Sequence, residues 1–406
     1  MKNKNTDILI IGGGIVGLTV AYQLSKKNVF KSITVLDKEI SIGKHNSGRN
    51  SGVLHAGIYY KPKSLKANVC MSGAKRLKKW IEDRQLPINN CGKIIIPQKE
   101  NLDPQLDFLY KRGIENKVNI EMLDLKELKK ITFNTRKFVK RAIWSPETSV
   151  VDPLIILNKL KEELTEKNVQ ILLGKEIKNY DLKNSIITLS NDEEIHYGYL
   201  FNTAGIKSLE IAKKFGVGND YIALPFKGNY WKIKETSNVD INTNVYPVPD
   251  LSVPFLGVHF TPDVKNDSFI IGPTATLSLG RENYNFFESI EPIQFSRNLA
   301  IVFKEYLANR NNFRRYVHEQ AFVNLPILLY KAASDLIPDL KPEDIEISPK
   351  VGIRAQLFHS NKLKLEDDFL CISKNNTTHV LNAVSPAFTA SFSLADLVID
   401  ESNLNL

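Results

Sequence analysis

The chain of 406 residues is poor in cysteine and contains neither a long apolar run nor an internal repeat. Its three cysteines, Cys70, Cys91 and Cys371, cannot pair completely and share no metal-like spacing. A disulfide framework and a cysteine-bound metal are therefore excluded, and a reducing compartment is favoured. Because no run of roughly 18 apolar residues occurs, we expect no membrane-spanning helix. No basic block is interleaved with aromatic residues, which argues against nucleic acid as a partner.

The bulk composition is that of a folded globular protein. With 43% hydrophobic and 24% charged residues the chain is not disordered, and its length exceeds what one typical core holds, so two lobes are expected. The net charge of +9 favours anionic substrates or an anionic lipid surface. Since lysines and arginines are spread along the whole chain, most of them are expected on a solvated surface.

The strongest local pattern lies near the start of the chain. The apolar run Ile8–Ile11 leads directly into Gly12, Gly14 and Gly17, spaced as Gly-x-Gly-x-x-Gly, and a helix-like pattern follows. This order predicts a buried strand, a turn too tight for side chains, and a helix whose N-terminus binds a pyrophosphate. A second apolar run ends at Asp37, at the distance where an acidic residue binds a ribose hydroxyl. The pattern predicts a bound dinucleotide but does not separate NAD from FAD.

Later segments indicate how the rest of the chain is organised. Residues 43–60 are rich in Gly, Asn and Ser, which is typical either of a mobile surface loop or of backbone that donates hydrogen bonds to a ligand. Asp152-Pro153 predicts the N-cap and first residue of a helix. The small-residue turn 202–205 ends a predicted strand and permits close approach to a ligand. Residues 221–347 alternate aromatic and β-branched positions, which predicts an antiparallel lobe with a helical excursion near 292–308.

Taken together, the motifs resemble those of the D-amino-acid-oxidase-type FAD enzymes, and within that group the L-2-hydroxyglutarate dehydrogenase/oxidase family. The resemblance rests on the Gly12–Gly17 turn with Asp37, the loop from His45 to Tyr60, and the Asn202–Gly205 turn. It extends in consistent order to residues 225–228, 256–261, 272–284, 352–356 and 382–391. In all it runs from residue 7 to about 399. Asp37 replaces the Glu usual in the family, and residues 310–340 match least well.

The resemblance implies an α/β fold of mixed α+β character, in which a Rossmann-like FAD-binding domain is interleaved with an antiparallel-sheet substrate domain. We place the FAD-binding domain in residues 1–85, 146–220 and 348–406, and the substrate-binding domain in residues 86–145 and 221–347. No Cys or His stands where a covalent flavin link could be argued, and no spacing supports a metal site.

The resemblance also implies which residues hold the FAD. Gly12, Gly14 and Gly17 cradle the pyrophosphate, Asp37 holds the ribose, and backbone around Ile177 takes the adenine edge. A helix N-terminus at the C-terminal segment stabilises the negative charge of reduced flavin. The other expected contacts come from the turns and loops already described and from that segment: Ile15, Val16, Lys38, His45, Ser47, Gly48, Asn50, Ser51, Gly52, Ala204, Gly205, Ala387, Phe388, Thr389 and Ala390.

The implied reaction is hydride loss from C2 of an L-2-hydroxy acid to the flavin N5, which leaves a 2-oxo acid. It needs a cation for the carboxylate and a base for the hydroxyl proton. His55 and His259 are the candidate bases, because a neutral imidazole can accept that proton. Arg354 is the preferred carboxylate clamp, since a guanidinium in an apolar strand is costly unless it is paired. An internal salt bridge is the alternative for Arg354.

A five-carbon diacid carries a second carboxylate, for which Tyr59, Tyr60, Lys227 and Arg281 are the candidate contacts. Each of these is also an ordinary surface or core residue. The runner-up function in the same fold is an oxidase acting on an amino acid or N-methyl amino acid, with Arg354 in the same part. A flavin-carrying binding protein without turnover and an NAD-dependent dehydrogenase are the alternatives from other classes.

The expected partners are a small 2-hydroxy acid and an electron acceptor, either a quinone, another carrier or oxygen. We expect a cytoplasmic protein. A peripheral contact with the inner face of the membrane is left open, and it rests only on the net charge.

Overall fold

The computed structural model describes residues 3–131, 134–249, 257–266, 268–285, 287–310, 313–314, 317–318 and 325–404. Leu256, part of one stretch that carries the family resemblance, lies outside these residues. Two large β-sheets and one small sheet form the frame of the described chain. Strands and helices are numbered below in chain order.

The first large sheet has eight strands, most of them in the cofactor-binding part that the sequence predicts. Its members are β1 (Asn3–Ile11), β2 (Ile33–Leu36), β9 (Gln170–Leu172), β10 (Ile177–Asp181), β11 (Ile186–Leu189), β12 (Glu194–Asn202), β20 (Leu370–Lys374) and β21 (Thr377–Asn382). The spatial order is β10-β11-β12-β1-β2-β9, with β21 paired to β12 and β20 to β21. The strands β9, β2, β1, β12 and β21 run parallel, and antiparallel hairpins extend the sheet at β10–β11 and β20–β21.

The second large sheet has ten strands and is mainly antiparallel. Its members are β5 (Lys93–Ile96), β6 (Glu121–Asp124), β7 (Arg141–Ser145), β13 (Tyr221–Ile233), β14 (Asn244–Pro247), β15 (His259–Asp263), β16 (Ser268–Gly272), β17 (Thr276–Leu277), β18 (Ile345–His359) and β19 (Lys364–Leu365). A small third sheet contains β3 (Val53–Leu54), β4 (Ile88–Asn89) and β8 (Ser149–Val151). The mixed α/β class expected from the sequence is confirmed.

Helices cover the sheets and fill the connections between strands. The α-helices are α1 (Ile15–Lys27), α2 (Asn46–Arg49), α3 (Leu65–Glu82), α4 (Pro104–Glu115), α5 (Leu125–Ile131), α6 (Pro153–Glu166), α7 (Ser208–Lys214), α8 (Pro292–Ala308), α9 (Pro326–Leu336) and α10 (Ser391–Asp400). Single 3₁₀ turns occur at Glu100–Leu102, Gly205–Lys207 and Pro342–Asp344. In the described part of the chain, no helix combines the length and the apolar character needed to cross a membrane.

The parallel part of the first sheet is buried on both faces. Ile8 and Ile10 pack into the cluster formed with α1, α6 and α10, whereas Leu9 and Ile11 pack on the opposite side with Ile211 and other residues near α7. This double burial explains why β1 is an unbroken apolar run and not an alternating one. Burying each of these side chains contributes about 1.5–3 kcal/mol, which stabilises β1 at the centre of the sheet.

The long pairing of β13 with β18 lies near one edge of the second sheet, next to the edge strand β19. It continues from Tyr221 opposite His359 to Ile233 opposite Ile345, with one irregularity after Asn229. The domain boundary predicted at residue 348 falls inside β18. The division of the chain into two domains at the predicted residues therefore stays a prediction, although the two sheets divide the described strands in a similar way.

Two helix predictions are confirmed in detail. Asp152 is the N-cap of α6, its carboxylate accepts the backbone N–H of Leu154, and Pro153 is the first helical residue. The predicted excursion near 292–308 is α8. Both helices begin at a proline, whose fixed φ and missing N–H suit the first turn of a helix.

Candidate active site

One large cavity connects the first sheet with the second. Its volume is about 1260 Å³, which exceeds the roughly 300–1,000 Å³ of a typical small-ligand pocket. One end lies where β1, β2 and β12 finish, so three parallel strands point their carboxyl ends into it, as in other open α/β sheets that bind nucleotides. The other end is lined from β13, β14, β15 and β18. The cavity therefore has room for a dinucleotide at one end and a substrate at the other.

The turn after β1 can only be built from glycine. Gly12 has φ of +108°, and a Cβ there would lie 2.5 Å from the carbonyl oxygen of Thr203. A Cβ on Gly17 would lie 2.0 Å from the carbonyl oxygen of Gly12. Gly14, the N-cap of α1, provides no side-chain cap, and the cavity is lined by Gly12, Gly14, Ile15 and Val16. The positive end of α1 therefore faces the cavity, where a pyrophosphate would be stabilised.

Asp37 is held rigidly at the end of β2. Its carboxylate accepts the backbone N–H of Gly13 at 2.7 Å and that of Glu39 at 2.9 Å, and it lines the cavity beside the glycine turn. Ile177 and Ala204 line the same end. This arrangement fits an adenosine moiety whose ribose is bonded by Asp37, as the sequence predicts.

The Asn-rich loop uses its side chains mainly to shape itself. Ser47 Oγ accepts the backbone N–H of Ile15, which ties α2 to the first turn of α1. The Asn50 side chain donates to the carbonyl of Ser47 and accepts the N–H of Gly52. Ser47, Asn50 and Ser51 line the cavity. These bonds fix the loop before any ligand binds.

Gly48 and Gly52 have a different role from the one predicted, because neither lines the cavity. A Cβ on Gly48 would lie 2.1 Å from the carbonyl oxygen of Gly43, and one on Gly52 would lie 2.0 Å from that of Val151. Both glycines permit close backbone packing behind the loop. They would therefore support a flavin indirectly.

Lys38 and His45 belong to a charged cluster at the cavity edge. His45 Nδ1 lies 3.0 Å from the hydroxyl of Tyr284 and its Nε2 3.1 Å from Glu39, while Lys38 bonds Glu39 at 2.6 Å and Glu282 at 3.0 Å. Glu39, His45 and Glu282 place potential ligand atoms within 4.8 Å of one another. The Lys38 ammonium already bonds both carboxylates, so the cluster is better described as a bridge between residues of the two sheets' loops.

The C-terminal segment meets the loop that carries His55. Thr389 Oγ1 donates to the carbonyl of Val53 at 3.1 Å and accepts the backbone N–H of His55 at 3.2 Å. Ala387, Phe388 and Thr389 line the cavity, whereas Ala390 packs against α3 and caps α10. Ala390 therefore lies behind the wall, in place of the predicted direct contact.

The far end of the cavity contains two histidines. Burial, with the charges of Lys93 and His259 beside it, lowers the pKa of His55 to about 3. Burial likewise lowers the pKa of His259 to about 4, against a favourable bond to Gly257. His259 Nδ1 donates to that carbonyl at 2.8 Å, which leaves Nε2 as an acceptor, and its ring stacks on Tyr246 with centroids 4.1 Å apart. Both imidazoles are therefore neutral at neutral pH and able to accept a proton.

Arg354 lies on β18, opposite Phe226 of β13, and lines the cavity with both histidines. Its positive charge contributes to the lowered pKa of His259, which places the guanidinium close to that imidazole. Tyr59 and Tyr60 line the cavity as well. The predicted residues His55, His259, Tyr59 and Tyr60 thus line the same cavity as Arg354.

Two predicted substrate contacts are absent from the cavity lining. Lys227 lies between the cavity-lining positions Phe226 and Gly228 of β13, and because side chains alternate along a strand it points to the opposite face. The Arg281 guanidinium is committed to the carboxylates of Glu291 and Glu210. These ion pairs raise the pKa of Arg281, so it serves as an internal ion-pair residue in place of a substrate contact.

Three residues near the histidines were not predicted from the sequence. Tyr230 and Tyr246 line the cavity, and Lys93 is fully buried beside the rings of Tyr59 and Tyr246. A lysine that opens the apolar run of β5 was a usable signal, because charged residues are rarely fully buried unless they are paired. The tyrosines gave no such signal, since aromatic residues are common in any antiparallel lobe.

The chain is similar to known FAD-dependent oxidoreductases over almost its whole length. The sequence model of the FAD dependent oxidoreductase (DAO) family matches residues 7–401. L-2-hydroxyglutarate dehydrogenase of Indibacter alkaliphilus is 33% identical over 97% of this chain and 98% of its own length. The mitochondrial L-2-hydroxyglutarate dehydrogenase of Homo sapiens is 32% identical over 98% of this chain and 89% of its own.

Among solved structures, dithionite-reduced L-alpha-glycerophosphate oxidase from Mycoplasma pneumoniae with FAD bound has a similar fold. The TM-score is 0.77 at 21% identity, covering 99% of this chain and 96% of that chain. At this identity the likeness concerns the fold alone.

Proposed function

This chain belongs to the FAD dependent oxidoreductase (DAO) family and, within it, to the L-2-hydroxyglutarate dehydrogenase family; on that premise we propose that it oxidises L-2-hydroxyglutarate, or a close L-2-hydroxy acid, to the 2-oxo acid. The glycine turn and Asp37 fit the FAD that this family uses. The observation that carries the proposal is the continuity of one cavity between that turn and His55, His259 and Arg354. A cation and neutral imidazoles lie where a 2-hydroxy acid would meet a flavin.

In the proposed reaction, Arg354 binds the carboxylate next to the reacting carbon with its planar guanidinium, which fixes C2 relative to the cavity. A neutral imidazole nitrogen accepts the proton of the C2 hydroxyl, so that the oxygen can form the new carbonyl bond. The flavin, when bound, supplies the hydride acceptor. The apolar and aromatic walls around Tyr230 and Tyr246 exclude water from this end of the cavity.

We assign the base to His55 and hydroxyl orientation to His259. His55 follows directly on the loop that shapes the cofactor site, and its backbone is fixed by Thr389 of the C-terminal segment. This backbone connection to the cofactor loop supports a position of the His55 ring near both the cofactor and the substrate. His259 is held in one tautomer by Gly257, which makes its Nε2 a constant acceptor for a substrate hydroxyl.

The visible spectrum under anaerobic conditions tests the substrate. Flavin bands of the purified protein should bleach with L-2-hydroxyglutarate and remain with the D acid and with glycine. Bleaching by an amino acid in place of the hydroxy acid would favour the amino-acid or N-methyl amino-acid oxidase alternative. A protein that takes up FAD and is bleached by neither class would contradict the proposal.

Histidine variants separate the two imidazole roles. His55→Gln should lower kcat by roughly 10²–10⁴-fold, the usual contribution of a general base, and should remove the acidic limb of the pH profile. His259→Gln keeps a hydrogen-bonding side chain, so kcat should fall less and the acidic limb should persist. The opposite pattern would transfer the base to His259.

We also propose a peripheral membrane contact through α8, which would bring the flavin near a lipid-soluble quinone. Leu299, Phe303 and Leu307 form one exposed stripe along this helix, and Ile293 is 89% exposed. Lys304 lies on the same exposed helix, and the whole chain carries a net charge of +9. An apolar stripe with neighbouring cations suits an anionic lipid surface.

The three free cysteines support a reducing compartment such as the cytoplasm.

Vesicle sedimentation tests this contact. The protein should pellet with vesicles of anionic phospholipid at low salt and much less with zwitterionic vesicles. Phe303→Ser should reduce binding several-fold, whereas Phe108→Ser, at an exposed phenylalanine of α4, should not. Equal recovery in the supernatant with and without anionic vesicles would contradict the contact and favour a soluble carrier or oxygen as the acceptor.

A further inference from the structure

A fully buried lysine, without a counter-ion among the residues that the structure describes, lies beside the substrate end of the cavity. Lys93 is 0% exposed, at the first position of β5, where it pairs with Asn244 of β14 and Ser145 of β7. Its Nζ lies 4.9 Å from the ring centre of Tyr59 and 5.3 Å from that of Tyr246. Both tyrosines line the cavity, so the positive charge lies directly behind the cavity wall.

Among the described residues, Lys93 Nζ has neither a hydrogen bond nor an acidic partner. Two other cations along the cavity are already engaged: Lys66 lies near the carboxylate of Asp368, and Arg112 donates to the carbonyl of Tyr59. In the described part of the chain, the Lys93 ammonium lies against two aromatic faces, those of Tyr59 and Tyr246. Burial lowers its pKa to about 8, which still leaves the ammonium form predominant at neutral pH.

The groups around Lys93 are also short of partners. The hydroxyls of Tyr59, Tyr246 and Thr261 are all buried. Within the described part of the chain the Tyr59 hydroxyl has no hydrogen-bond partner, whereas the hydroxyls of Tyr246 and Thr261 are close enough to interact with each other. Burial raises the pKa of both tyrosines well above the ordinary value, so each remains a protonated donor. The Lys93 ammonium and the hydroxyls of Tyr59, Tyr246 and Thr261 thus lie at the same wall of the cavity, and in the described chain the ammonium and the Tyr59 hydroxyl have no hydrogen-bond partner.

Such a cluster is expensive unless a ligand completes it. An unpaired buried charge and unsatisfied buried hydroxyls each destabilise a folded protein, and native proteins contain few of them. The complementary group is an anion with several acceptor oxygens. A carboxylate meets this description, because it neutralises an ammonium and accepts several hydrogen bonds at once.

We propose that Lys93, Tyr59 and Tyr246 form the subsite for the second carboxylate of a dicarboxylic substrate. This inference rests on the proposed function, since a 2-hydroxy acid with one carboxylate would need only Arg354. The tyrosine hydroxyls donate to the carboxylate, and the Lys93 ammonium behind them balances its charge. The subsite selects diacids, because a neutral chain end would leave the ammonium and hydroxyls unpaired.

Binding of unreactive acids to the oxidised holoenzyme tests the subsite without turnover. Glutarate and pentanoate have the same chain length and differ by one carboxylate; each is titrated while the flavin spectrum and the heat of binding are recorded. Wild type should bind glutarate at least tenfold more tightly than pentanoate. Lys93→Met should weaken glutarate by about a hundredfold and leave pentanoate within about threefold.

Two variants control for charge and for lysine removal. Lys93→Arg keeps the charge and should retain part of the preference for glutarate. Lys213→Met removes a half-buried lysine of α7 that donates to the carbonyl of Tyr221 and does not line the cavity. It should leave both affinities unchanged.

Stability gives a readout that a merely structural lysine would move in the opposite direction. Since Lys93 is an unpaired buried cation, Lys93→Met should raise the Tm of the ligand-free holoenzyme by about 2 °C or more. A structural lysine would make the same variant less stable. If Lys93→Met fails to retain flavin, Lys93→Gln takes its place in the titrations.

The outcomes separate the subsite from the proposed function. Equal affinity of wild type for glutarate and pentanoate would overturn the subsite, and so would an equal loss of both acids in Lys93→Met. Oxidation of L-2-hydroxyglutarate by Lys93→Met with unchanged KM would also overturn it while leaving the proposed function intact. Lys93-dependent glutarate binding in a protein that does not oxidise L-2-hydroxyglutarate would keep the subsite and reject that substrate.

Discussion

The two ends of the cavity are built in different ways. The cofactor end is formed mostly by backbone: three strand ends, a glycine turn and the N-terminus of α1, with Asp37 as the main side chain. The substrate end is formed by side chains from four separated strands, among them His259, Tyr246 and Arg354. Backbone constructions tolerate few substitutions because they depend on close approach, whereas side-chain constructions can change specificity one residue at a time.

This difference explains how one fold serves several oxidations. A glycine turn at a parallel-sheet edge binds any pyrophosphate, so the cofactor end says little about the substrate. The antiparallel strands at the other end present a new set of side chains whenever their sequence changes. We therefore expect substrate preference to be determined at the second sheet, and variants at the two ends should have separable effects.

The largest effect is expected at the glycine turn. Gly17→Ala would put a Cβ 2.0 Å from the carbonyl oxygen of Gly12 and 2.7 Å from Thr203 Oγ1. Because the obstructing oxygen is backbone, the turn itself must shift, and we expect the purified protein to contain no FAD. The absorbance of the flavin bands relative to the protein band measures this directly.

Gly216→Ala is the matched control for Gly17→Ala. Gly216 has φ of +70°, but its added Cβ would meet only the flexible end of Lys374. The left-handed backbone costs about 1 kcal/mol for alanine, so we expect slightly lower stability and full FAD content. Equal loss of FAD in both variants would show that the glycine turn has no specific role in FAD binding.

The next largest effect is expected at the carboxylate clamp. Arg354→Met should lower kcat/KM for L-2-hydroxyglutarate by about 10³-fold, because it leaves a substrate carboxylate unpaired in a largely apolar cavity. Arg354→Lys should recover part of this, since a point charge lacks the two-pronged geometry of a guanidinium. Flavin content should remain full in both variants. A loss below tenfold in Arg354→Met would assign the clamp to another cation.

The same contrast determines how much could be predicted from the sequence. The glycine turn, Asp37, α6 with its Asp152 cap, and α8 follow from local patterns. The structure confirms the two helices, whereas the cofactor contacts of the glycine turn and Asp37 stay predictions. His55 and Thr389 are 334 residues apart in sequence, and only the fold joins them. The family resemblance supplied these distant positions, because spacing along one segment cannot.

The failures have physical causes as well. Lys227 was chosen as a cation near a family motif, but the twofold alternation of β13 turns it away from the cavity. Arg281 was chosen for its charge, but its partners Glu210 and Glu291 are distant in sequence or beyond a turn and could not be foreseen. Lys93 opens the apolar run of β5, which is a signal of burial, but its place beside Tyr59 and Tyr246 depends on the neighbouring strands β7 and β14 and cannot be read from the sequence.

An effect of intermediate size is expected from acid, and it concerns the cofactor end. His379 on β21 is 0% exposed and bonded to Asn202 and Thr377, and burial lowers its pKa to about 4. The unfolded chain binds this proton near pH 6.5, so the contribution of His379 is complete above pH 6.5 and is lost as pH falls toward 4. The loss is on the order of 3 kcal/mol.

His379→Gln tests this assignment by urea unfolding between pH 4 and 8. The variant should be less stable at pH 8, because glutamine replaces a well-bonded ring, but its unfolding free energy should fall less steeply with acid. Parallel curves for the variant and wild type would assign the acid sensitivity to other groups, of which His55 and His259 at the substrate end are the first to examine.

The smallest effect is expected where the two ends meet. Glu282, from the loop after β17, bonds Lys38 next to β2, and the two side chains are 21% and 32% exposed. Partly solvated ion pairs of this kind contribute less than about 1 kcal/mol. Glu282→Gln should therefore change the unfolding free energy by no more than that amount. Added salt should reduce the difference between the variant and wild type. Glu288→Gln, at an exposed residue bonded to Asn285, is the control. A loss of unfolding free energy above about 2 kcal/mol in Glu282→Gln alone would contradict this expectation. It would mean that this ion pair, and not the packing between the sheets, holds the two halves together. Cofactor affinity would then depend on a loop of the substrate half.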